Sequence, residues 1–423
     1  MFIVGKALLW LFLAAMVVDI VLLWVSSPRG EGRRGLSAFR QMADRFSNGD
    51  DNEVRLRIEN SYPFAVKVEV IDEIPFVFQR RDICFRATIA KEEAVTIKYQ
   101  LHPTRRGTYG FGHIRAFAAS PVGLLQRRHT LGEPQDVKVY PSFLMLHQYE
   151  LLAISNNLTE LGIKRIRRVG HHTDFEQIKD YVAGDDFRTI NWKASARRSK
   201  LMVNVYQDER SQHIYNVIDK GRVMQQAFRQ MTLLDYAINA SLVLSYIAMN
   251  KEDRAGLITF NEQFDSFVPA SKQPGHLQLL MDTLYAQQTT FGETDYSSLV
   301  VNLNKHVNKR SLIVLYTNFT GLVSLKRQLP FLQQINSRHR LLVVFFEDEQ
   351  LKEYITAHHS PLNAHPTTES YYRHVMAERF VYEQRLIVST LRQYGILSLL
   401  TTPQQLSVDV INRYLEMKSQ QLI

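Results

Sequence analysis

Between Asp174 and Asn204 the chain reads DFEQIKDYVAGDDFRTINWKASARRSKLMVN. This stretch divides two kinds of patterning. Upstream, apolar and polar residues alternate at period two. Downstream, short apolar runs alternate with longer segments of helical period. The stretch opens polar and acidic (Asp174, Glu176, Asp180) and turns at Gly184–Asp185–Asp186. It then carries Trp192 and a basic run of Lys193, Arg197, Arg198 and Lys200, and leaves through a strand-like Leu201–Met202–Val203. Gly-Asp-Asp is turn chemistry, because glycine tolerates positive φ and aspartate side chains bond nearby amides. Asp186 is placed to cap a short helix running through Trp192 to Arg198. On it Asp185 or Asp186 approaches Arg188, and Lys193 and Arg197 share a face. Two uses fit these residues. In one, Trp192 plugs a domain core and the carboxylates pair with the arginines. In the other, Asp185, Asp186, Arg188, Trp192, Lys193, Arg197 and Arg198 form a partner-docking surface. No Ser–His, His–Cys or paired-carboxylate spacing marks a catalytic site here.

Downstream, HIYNVID ends at Asp219 and reads as a buried strand. Helical segments follow at 232–249, 275–287, 298–307 and near Ser324–Ile335, with strands at 254–260, 310–319 and 340–349 between them. Tyr372–Gln393 reads as a long helix, GILSLLTT as a last strand and Pro403–Lys418 as a last helix. Strands alternating with helices predict an α/β domain with a parallel sheet covered on both faces and right-handed crossovers. Phe345–Phe346–Glu347–Asp348–Glu349 puts an acidic strand end where ligands usually sit in such sheets, a plausible contact edge.

Upstream, residues 48–145 predict an all-β unit. EVRLRIEN, FAVKVEVIDE, AVTIKYQLHP and VKVYP alternate, with turn material at Asn60–Ser61, Pro63, Thr104–Gly107 and Ser120–Gly123. Short strands at this spacing suggest an immunoglobulin-like sandwich. Gly107, Gly110 and Gly112 match no phosphate-loop spacing and read as β-turns. The single cysteine, Cys84, falls in an alternating strand and is expected to be a small buried hydrophobe. It excludes an intrachain disulfide and a cysteine-rich zinc site, and fits a reducing compartment. Leu144–Gly170 carries Lys164, Arg165, Arg167 and Arg168, a solvated segment or a patch for anionic headgroups.

ALLWLFLAAMVVDIVLLWV, Ala7–Val25, is long enough for a membrane span, with Trp10 and Trp24 toward its ends; a signal peptide is the rival reading, against which stand the long apolar core and the lack of a clear small-x-small cleavage site. Asp19 is costly there; it reaches for headgroups or for another helix. Arg29, Arg33, Arg34, Arg40 and Arg45 follow the span against Lys6 before it, so the positive-inside rule puts the rest in the cytoplasm. The net charge of +9 over 423 residues suits a chain held against anionic lipid. No aromatic-interleaved basic groove argues for nucleic acid. The expected organisation is a transmembrane helix at 1–26, a basic juxtamembrane linker at 27–47, the sandwich at 48–145, a signature segment at 146–212 and the α/β domain at 213–423.

GDDFRTINWKASARRSKLMV, followed by the strand HIYNVID, resembles the signature of the bacterial "domain of unknown function fifty-eight" family. The resemblance extends over nearly the whole chain. It implies a von Willebrand A-like (Rossmann-like) domain and an N-terminal pair of spans, of which one is visible here. It also implies the inner membrane as location. As partners it implies a MoxR-type AAA+ ATPase and other von Willebrand A-containing membrane proteins. Von Willebrand A domains often hold Mg²⁺ through Asp-x-Ser-x-Ser, a distant Thr and a distant Asp. The matching positions here are Asp219, Gly221, Val223, Thr294 and Asn318. One carboxylate and one hydroxyl make a poor site for a hard dication, so no metal or other cofactor is expected. Asp219 is expected to pair with Lys220 or Arg222, or with strand-end amides. Adjacent His171–His172 with Asp174, and His358–His359 in a polar loop, lack a third ligand of diagnostic spacing.

The leading expectation is a membrane-anchored interaction protein without catalysis of its own. A hydrolase-like enzyme using Asp185, Asp186 and Lys193 is the alternative, and an adhesion or ligand-binding module is a third.

Overall fold

A computed structural model describes residues 2–25, 35–78, 80, 83–144, 169–170, 174–182, 185–207, 211–348, 351, 353–355, 368–420 and 422. Arg29, Arg33, Arg34, the basic cluster at 164–168, His171–His172, Gly184, Glu349 and His358–His359 lie outside the described residues. The chain forms two compact units. The first comprises Met1–Leu146, Gln226–Leu242 and Met281–Gln288; the second comprises His147–Gln225, Val243–Leu280 and Thr289–Ile423.

In the first unit, helix α1 (Phe2–Ile20) runs on into a π-helical turn at Val21–Val25. Together they are apolar and long enough to cross a bilayer. Trp10 lies well inside the helix rather than at its end. Asp19, expected to reach for headgroups or another helix, turns instead to the β part of its own unit. It is buried and accepts hydrogen bonds from the Ser120 hydroxyl and from the Leu124 (2.7 Å) and Leu125 (3.0 Å) amides.

Among its described residues up to Leu144 this unit forms the strands β1 (Leu36–Met42), β2 (Arg45–Ser47), β3 (Asn52–Asn60), β4 (Val66–Asp72), β5 (Cys84–Ile89), β6 (Ala94–Leu101), β7 (Gly107–Phe111), β8 (Ile114–Ala119), β9 (Gln126–Leu131) and β10 (Gln135–Tyr140). They form sheets of order β1-β3-β6, β2-β10-β7 and β5-β4-β8-β9. The alternation is clean in β3, where Val54, Leu56 and Ile58 are buried and Glu53, Arg55 and Arg57 face out. The inward residues join Phe46, Tyr62, Val68, Phe111, Ile114 and Val137 in one apolar core.

β1 and β2 lie in the stretch assigned to a juxtamembrane linker, so only its first part can be a linker. Arg40 is not a free charge beside the membrane. Its guanidinium is buried against Asp72, with Nε donating to Oδ2 at 3.1 Å, and Nη2 also donates to the Gly112 carbonyl at 3.0 Å. Cys84 is exposed, because Phe85 and Ala87 take the core-facing positions of β5 and leave Cys84 and Arg86 on the outer face, and its thiol lies 2.9 Å from Glu69 Oε1. Of the glycines read as turn formers, Gly107 and Gly110 fall inside β7. Arg106, read as turn material, donates from Nε to Asp235 (2.8 Å) and from Nη2 to the Gln287 carbonyl (3.4 Å).

The second unit opens with a small antiparallel sheet, order β11-β13-β12, from β11 (Val169–Gly170), β12 (Asp174–Asp180) and β13 (Met202–Gln207). The acidic opening of the quoted stretch is thus a strand. The chain between β12 and β13 carries α2 (Trp192–Arg198). β14 (His213–Asp219) follows. A two-residue pair of the first unit, β15 (Ala227–Phe228) with β16 (Met231–Thr232), leads to α3 (Leu233–Asn250). Then come β17 (Arg254–Phe260), β18 (Phe264–Ser271), α4 (His276–Tyr285), α5 (Tyr296–His306), β19 (Leu312–Tyr316), α6 (Leu322–Arg338), β20 (Arg340–Phe346), α7 (Thr368–Gln393), β21 (Leu397–Thr401) and α8 (Leu406–Ser419).

The main sheet has the order β18-β17-β14-β19-β20-β21, parallel except for the antiparallel edge strand β18. β14, β17, β19 and β20 are buried almost throughout, as unbroken Val/Ile/Leu runs require when both faces are covered. The alternation of strands and helices follows the sequence pattern, with element ends moved by a few residues. β18 is the strand the pattern did not show, because FDSFVPAS mixes polar residues and a proline on an edge.

Candidate functional site

From β14 the chain first adds β17 on one side and later β19 on the other, so the sheet reverses direction between β14 and β19. Open parallel sheets bind ligands outside the strand ends at such a reversal. Asp219, the last residue of β14, sits there, fully buried. Its Oδ1 accepts from the Gly221 amide (2.8 Å) and the Thr294 hydroxyl (2.8 Å). Its Oδ2 accepts from the Thr317 hydroxyl (2.8 Å) and, at 3.4 Å, from the Tyr296 hydroxyl. Burial pushes this carboxyl above the ordinary carboxylate range, while the amide and hydroxyl donors pull it back. The same burial, with Asp219 alongside, raises the Tyr296 phenol.

Of the five positions matched to a metal motif, the structure brings Asp219, Gly221 and Thr294 together. Val223 lies in a 3₁₀ turn, Arg222–Met224, and offers no oxygen. Asn318 does not turn toward Asp219; its Oδ1 accepts from the Phe319 amide at 3.0 Å. The residue before it, Thr317, takes the place, and neighbours in an extended strand end face opposite ways. Motif spacing does not mark Tyr296 or Thr317, although Thr317 adjoins Asn318 and Tyr296 lies two residues beyond Thr294.

Lys220, expected beside Asp219, has a carboxylate partner elsewhere. Lys220 donates to Asp265 at 2.6 Å, and the Arg222 amide donates to the Gly292 carbonyl. Burial alone would raise the Asp265 carboxyl, but Lys220, Thr259 and Ser266 outweigh it and bring it below the usual range. The expectation of a strand-end amide is met by Gly221.

These residues do not fit a hard dication. Both oxygens of the single carboxylate already accept hydroxyl or amide donors. A Cβ added at Gly221 would lie 1.9 Å from Thr294 Oγ1 and 3.0 Å from Asp219 Oδ1, so a serine has no room there. The hydroxyls of Thr294, Tyr296 and Thr317 form a neutral cage for the carboxylate.

The second candidate is the excursion between β12 and β13. Tyr181 and Asn191 donate backbone hydrogen bonds to the Leu201 and Met202 carbonyls, which tie its two ends to the entry of β13. Asp185 braces the first turn. Its carboxylate accepts from Lys179 Nζ (2.9 Å) and the Val182 amide (3.0 Å), and both bonds hold it below the ordinary range, the lysine contributing most. Asp186 caps a 3₁₀ turn, Phe187–Thr189, by accepting from the Arg188 amide at 2.9 Å. The cap of α2 is Asn191 rather than Asp186: its Oδ1 accepts from the Ala194 amide at 3.0 Å. Ser195 is the buried residue of α2 and receives the Met202 amide at 2.9 Å.

Trp192 is therefore no plug. It is 71% exposed, as is Phe187, and Val182 is 61% exposed. Arg188, Lys193, Arg197 and Arg198 are exposed around them. Both helical pieces are too short to bury a full face, so the excursion is anchored by its polar caps and leaves its large apolar side chains outward. Exposed aromatic side chains and arginines on one short segment are the composition of protein-binding surfaces.

A family described as "Protein of unknown function DUF58" matches residues 177–355, which include this excursion and most of the main sheet. An uncharacterized protein of Bacillus subtilis, YeaD, is 24% identical over 243 residues; the match covers 55% of this chain and 58% of that protein's length. Among solved structures, the CARDB domain of a Pyrococcus furiosus protein aligns at a TM-score of 0.19 with 17% identity, over 26% of this chain and 94% of that one. A PapD-like domain of human CEP192 aligns at 0.17 with 10% identity, over 26% and 85%. The conserved hypothetical protein BatB of Bacteroides thetaiotaomicron aligns at 0.26 with 11% identity, over 33% and 68%.

Proposed function

We propose that this chain is a membrane-anchored interaction protein that docks a partner through the excursion between β12 and β13 and performs no catalysis of its own. The observation that carries the reading is the exposure of Val182, Phe187 and Trp192 on one short excursion flanked by Arg188, Lys193, Arg197 and Arg198. A hydrolase-like use of Asp185, Asp186 and Lys193 is less well supported. Lys179 engages Asp185, and Asp186 caps the Phe187–Thr189 turn through the Arg188 amide, both structural uses of a carboxylate.

The resemblance of GDDFRTINWKASARRSKLMV and HIYNVID to the family signature supports a closer assignment. We take the six-stranded unit as von Willebrand A-like, supported by its strand order and by Asp219 at the reversal point. We take the β unit as immunoglobulin-like. The partner is a MoxR-type AAA+ ATPase, with other von Willebrand A-containing membrane proteins nearby, in chaperone-like assembly or maturation of protein complexes. The soluble parts lie on the cytoplasmic side of the bacterial inner membrane; digestion of them by protease added to intact spheroplasts would contradict that side.

Docking is tested by Arg197→Glu with Arg198→Glu in the full chain. Exposed charges contribute about 0–1 kcal/mol to stability, so the double variant stays folded. Reversed charge repels an acidic partner surface, so crosslinked capture of the ATPase from native membranes falls to background. Undiminished capture by the folded double variant removes this surface from the interface.

A further inference from the structure

The loop between β8 and β9, Ser120–Leu125, reads SPVGLL and carries no charged side chain. It clasps α1 at Asp19. The Ser120 hydroxyl and the Leu124 and Leu125 amides all donate to that carboxylate. The grip continues one turn on, where the Leu23 carbonyl accepts from the Tyr62 hydroxyl (3.2 Å) and from Arg127 Nη1 (2.5 Å). The Arg127 guanidinium also lies 5.4 Å from the centroid of the Trp24 ring.

The apolar surface of the helix does not stop at Asp19. Ile20, Val21 and Trp24 beyond it are exposed, as are Val17 and Val18 before it. Tryptophan settles at the headgroup level. At 1.5 Å per residue, Asp19 lies roughly 7 Å deeper along the helix than Trp24. A carboxylate at that depth is costly unless protein donors satisfy it, and this loop supplies three. The loop must then share the depth of Asp19. Its outward residues are suited to it: Val122 is 46% and Leu124 42% exposed, with nothing polar between them but backbone. Arg127 and exposed Arg128 follow at the stem, where headgroup phosphates would lie.

We propose that the β8–β9 loop is a membrane-inserting wedge. Val122 and Leu124 enter the bilayer interface beside α1, and the sandwich is held on the lipid surface in a set orientation rather than hung from a free tether. This rests on the reading of α1 as a span.

The test uses the full chain with Cys84→Ser as background, reconstituted in vesicles of phosphatidylethanolamine and phosphatidylglycerol with brominated acyl chains. Single cysteines at Leu11→Cys, Val122→Cys, Leu124→Cys and Phe76→Cys carry an environment-sensitive fluorophore. All four side chains are exposed, so labelling leaves the packing intact. Phe76 is the distant control. β4 pairs Lys67 with Ala119 at the loop end and Asp72 with Ile114 at the other, so Phe76 follows the far end of the strand, roughly 20 Å away. The expected result is loss of fluorescence at Leu11, Val122 and Leu124 and none at Phe76. Quenching at Leu11 with Val122 and Leu124 as bright as Phe76 overturns the wedge and leaves the anchor standing. An unquenched Leu11 overturns the anchor and the wedge with it.

Discussion

Replacing Trp192 with alanine separates a docking residue from a core residue by the size of the stability loss. A buried tryptophan hides about 150–250 Å², and its truncation costs about 3–5 kcal/mol. Trp192 is 71% exposed, so less than a third of its surface is covered. That is at most about 75 Å², or roughly 1–2 kcal/mol at about 25 cal/mol per Å². In a unit of this size each kcal/mol moves the melting temperature by about 2–4 °C. The variant should therefore melt within about 8 °C of the parent, read by circular dichroism on detergent-solubilised full chain. Capture of the partner should fall by at least tenfold, since exposed tryptophans that fill a partner's pocket commonly contribute about 2 kcal/mol or more to binding. A melting temperature lowered by 15 °C would mean that Trp192 is packed in a core. An unchanged capture at an unchanged melting temperature would leave it with neither role.

At the strand end, Gly221→Ser drives its Cβ into Thr294 and should cost about 1–3 kcal/mol. Neither parent nor variant should gain melting temperature in millimolar Mg²⁺ or Mn²⁺, since a ligand that binds only the folded state must raise it; a metal-dependent rise would refute the neutral-cage reading. His213 and His339 both titrate below the ordinary imidazole value of 6.5, because burial disfavours the imidazolium and neighbouring Arg254, Lys309 and Arg338 repel it. The unfolded chain binds those protons first, so stability is full above about pH 6.5 and declines as pH falls toward the folded values. Denaturant titrations of His339→Leu should show a shallower decline, and an identical slope would exclude His339 as a source. Asp253 accepts from the Gln212 amide (3.0 Å), Lys418 (2.7 Å) and the Tyr414 hydroxyl, fastening α8. Asp253→Ala should cost at least about 1–3 kcal/mol by orphaning buried donors, and hydrogen exchange in α8 should rise; unchanged protection would show that apolar packing alone holds the helix.

The sequence by itself determined the element types. Val/Ile/Leu runs such as Leu312–Tyr316 have no exposed face to keep polar, so they had to be interior strands of a covered sheet. The strict alternation of Asn52–Asn60 called for a half-buried strand, and an apolar segment as long as Ile3–Trp24 for a membrane span, a signal sequence or a fully covered helix. These are one-dimensional signals, carried by periodicity and length. What only the tertiary structure decided is which side of a residue meets a partner. Trp192 and Cys84 looked like core residues because both are apolar enough to bury. A short helix held by polar caps leaves one exposed, and the outward face of β5 leaves the other so. Arg40 looked like a free charge, yet Asp72, far along the chain, takes it into the sandwich. Thr317 rather than Asn318 completes the cage around Asp219, because one residue of strand register reverses the direction of a side chain. Asp19 is paired with a loop about a hundred residues later, a contact that no local pattern encodes, since its free energy comes from satisfying a buried carboxylate wherever the fold brings donors to it.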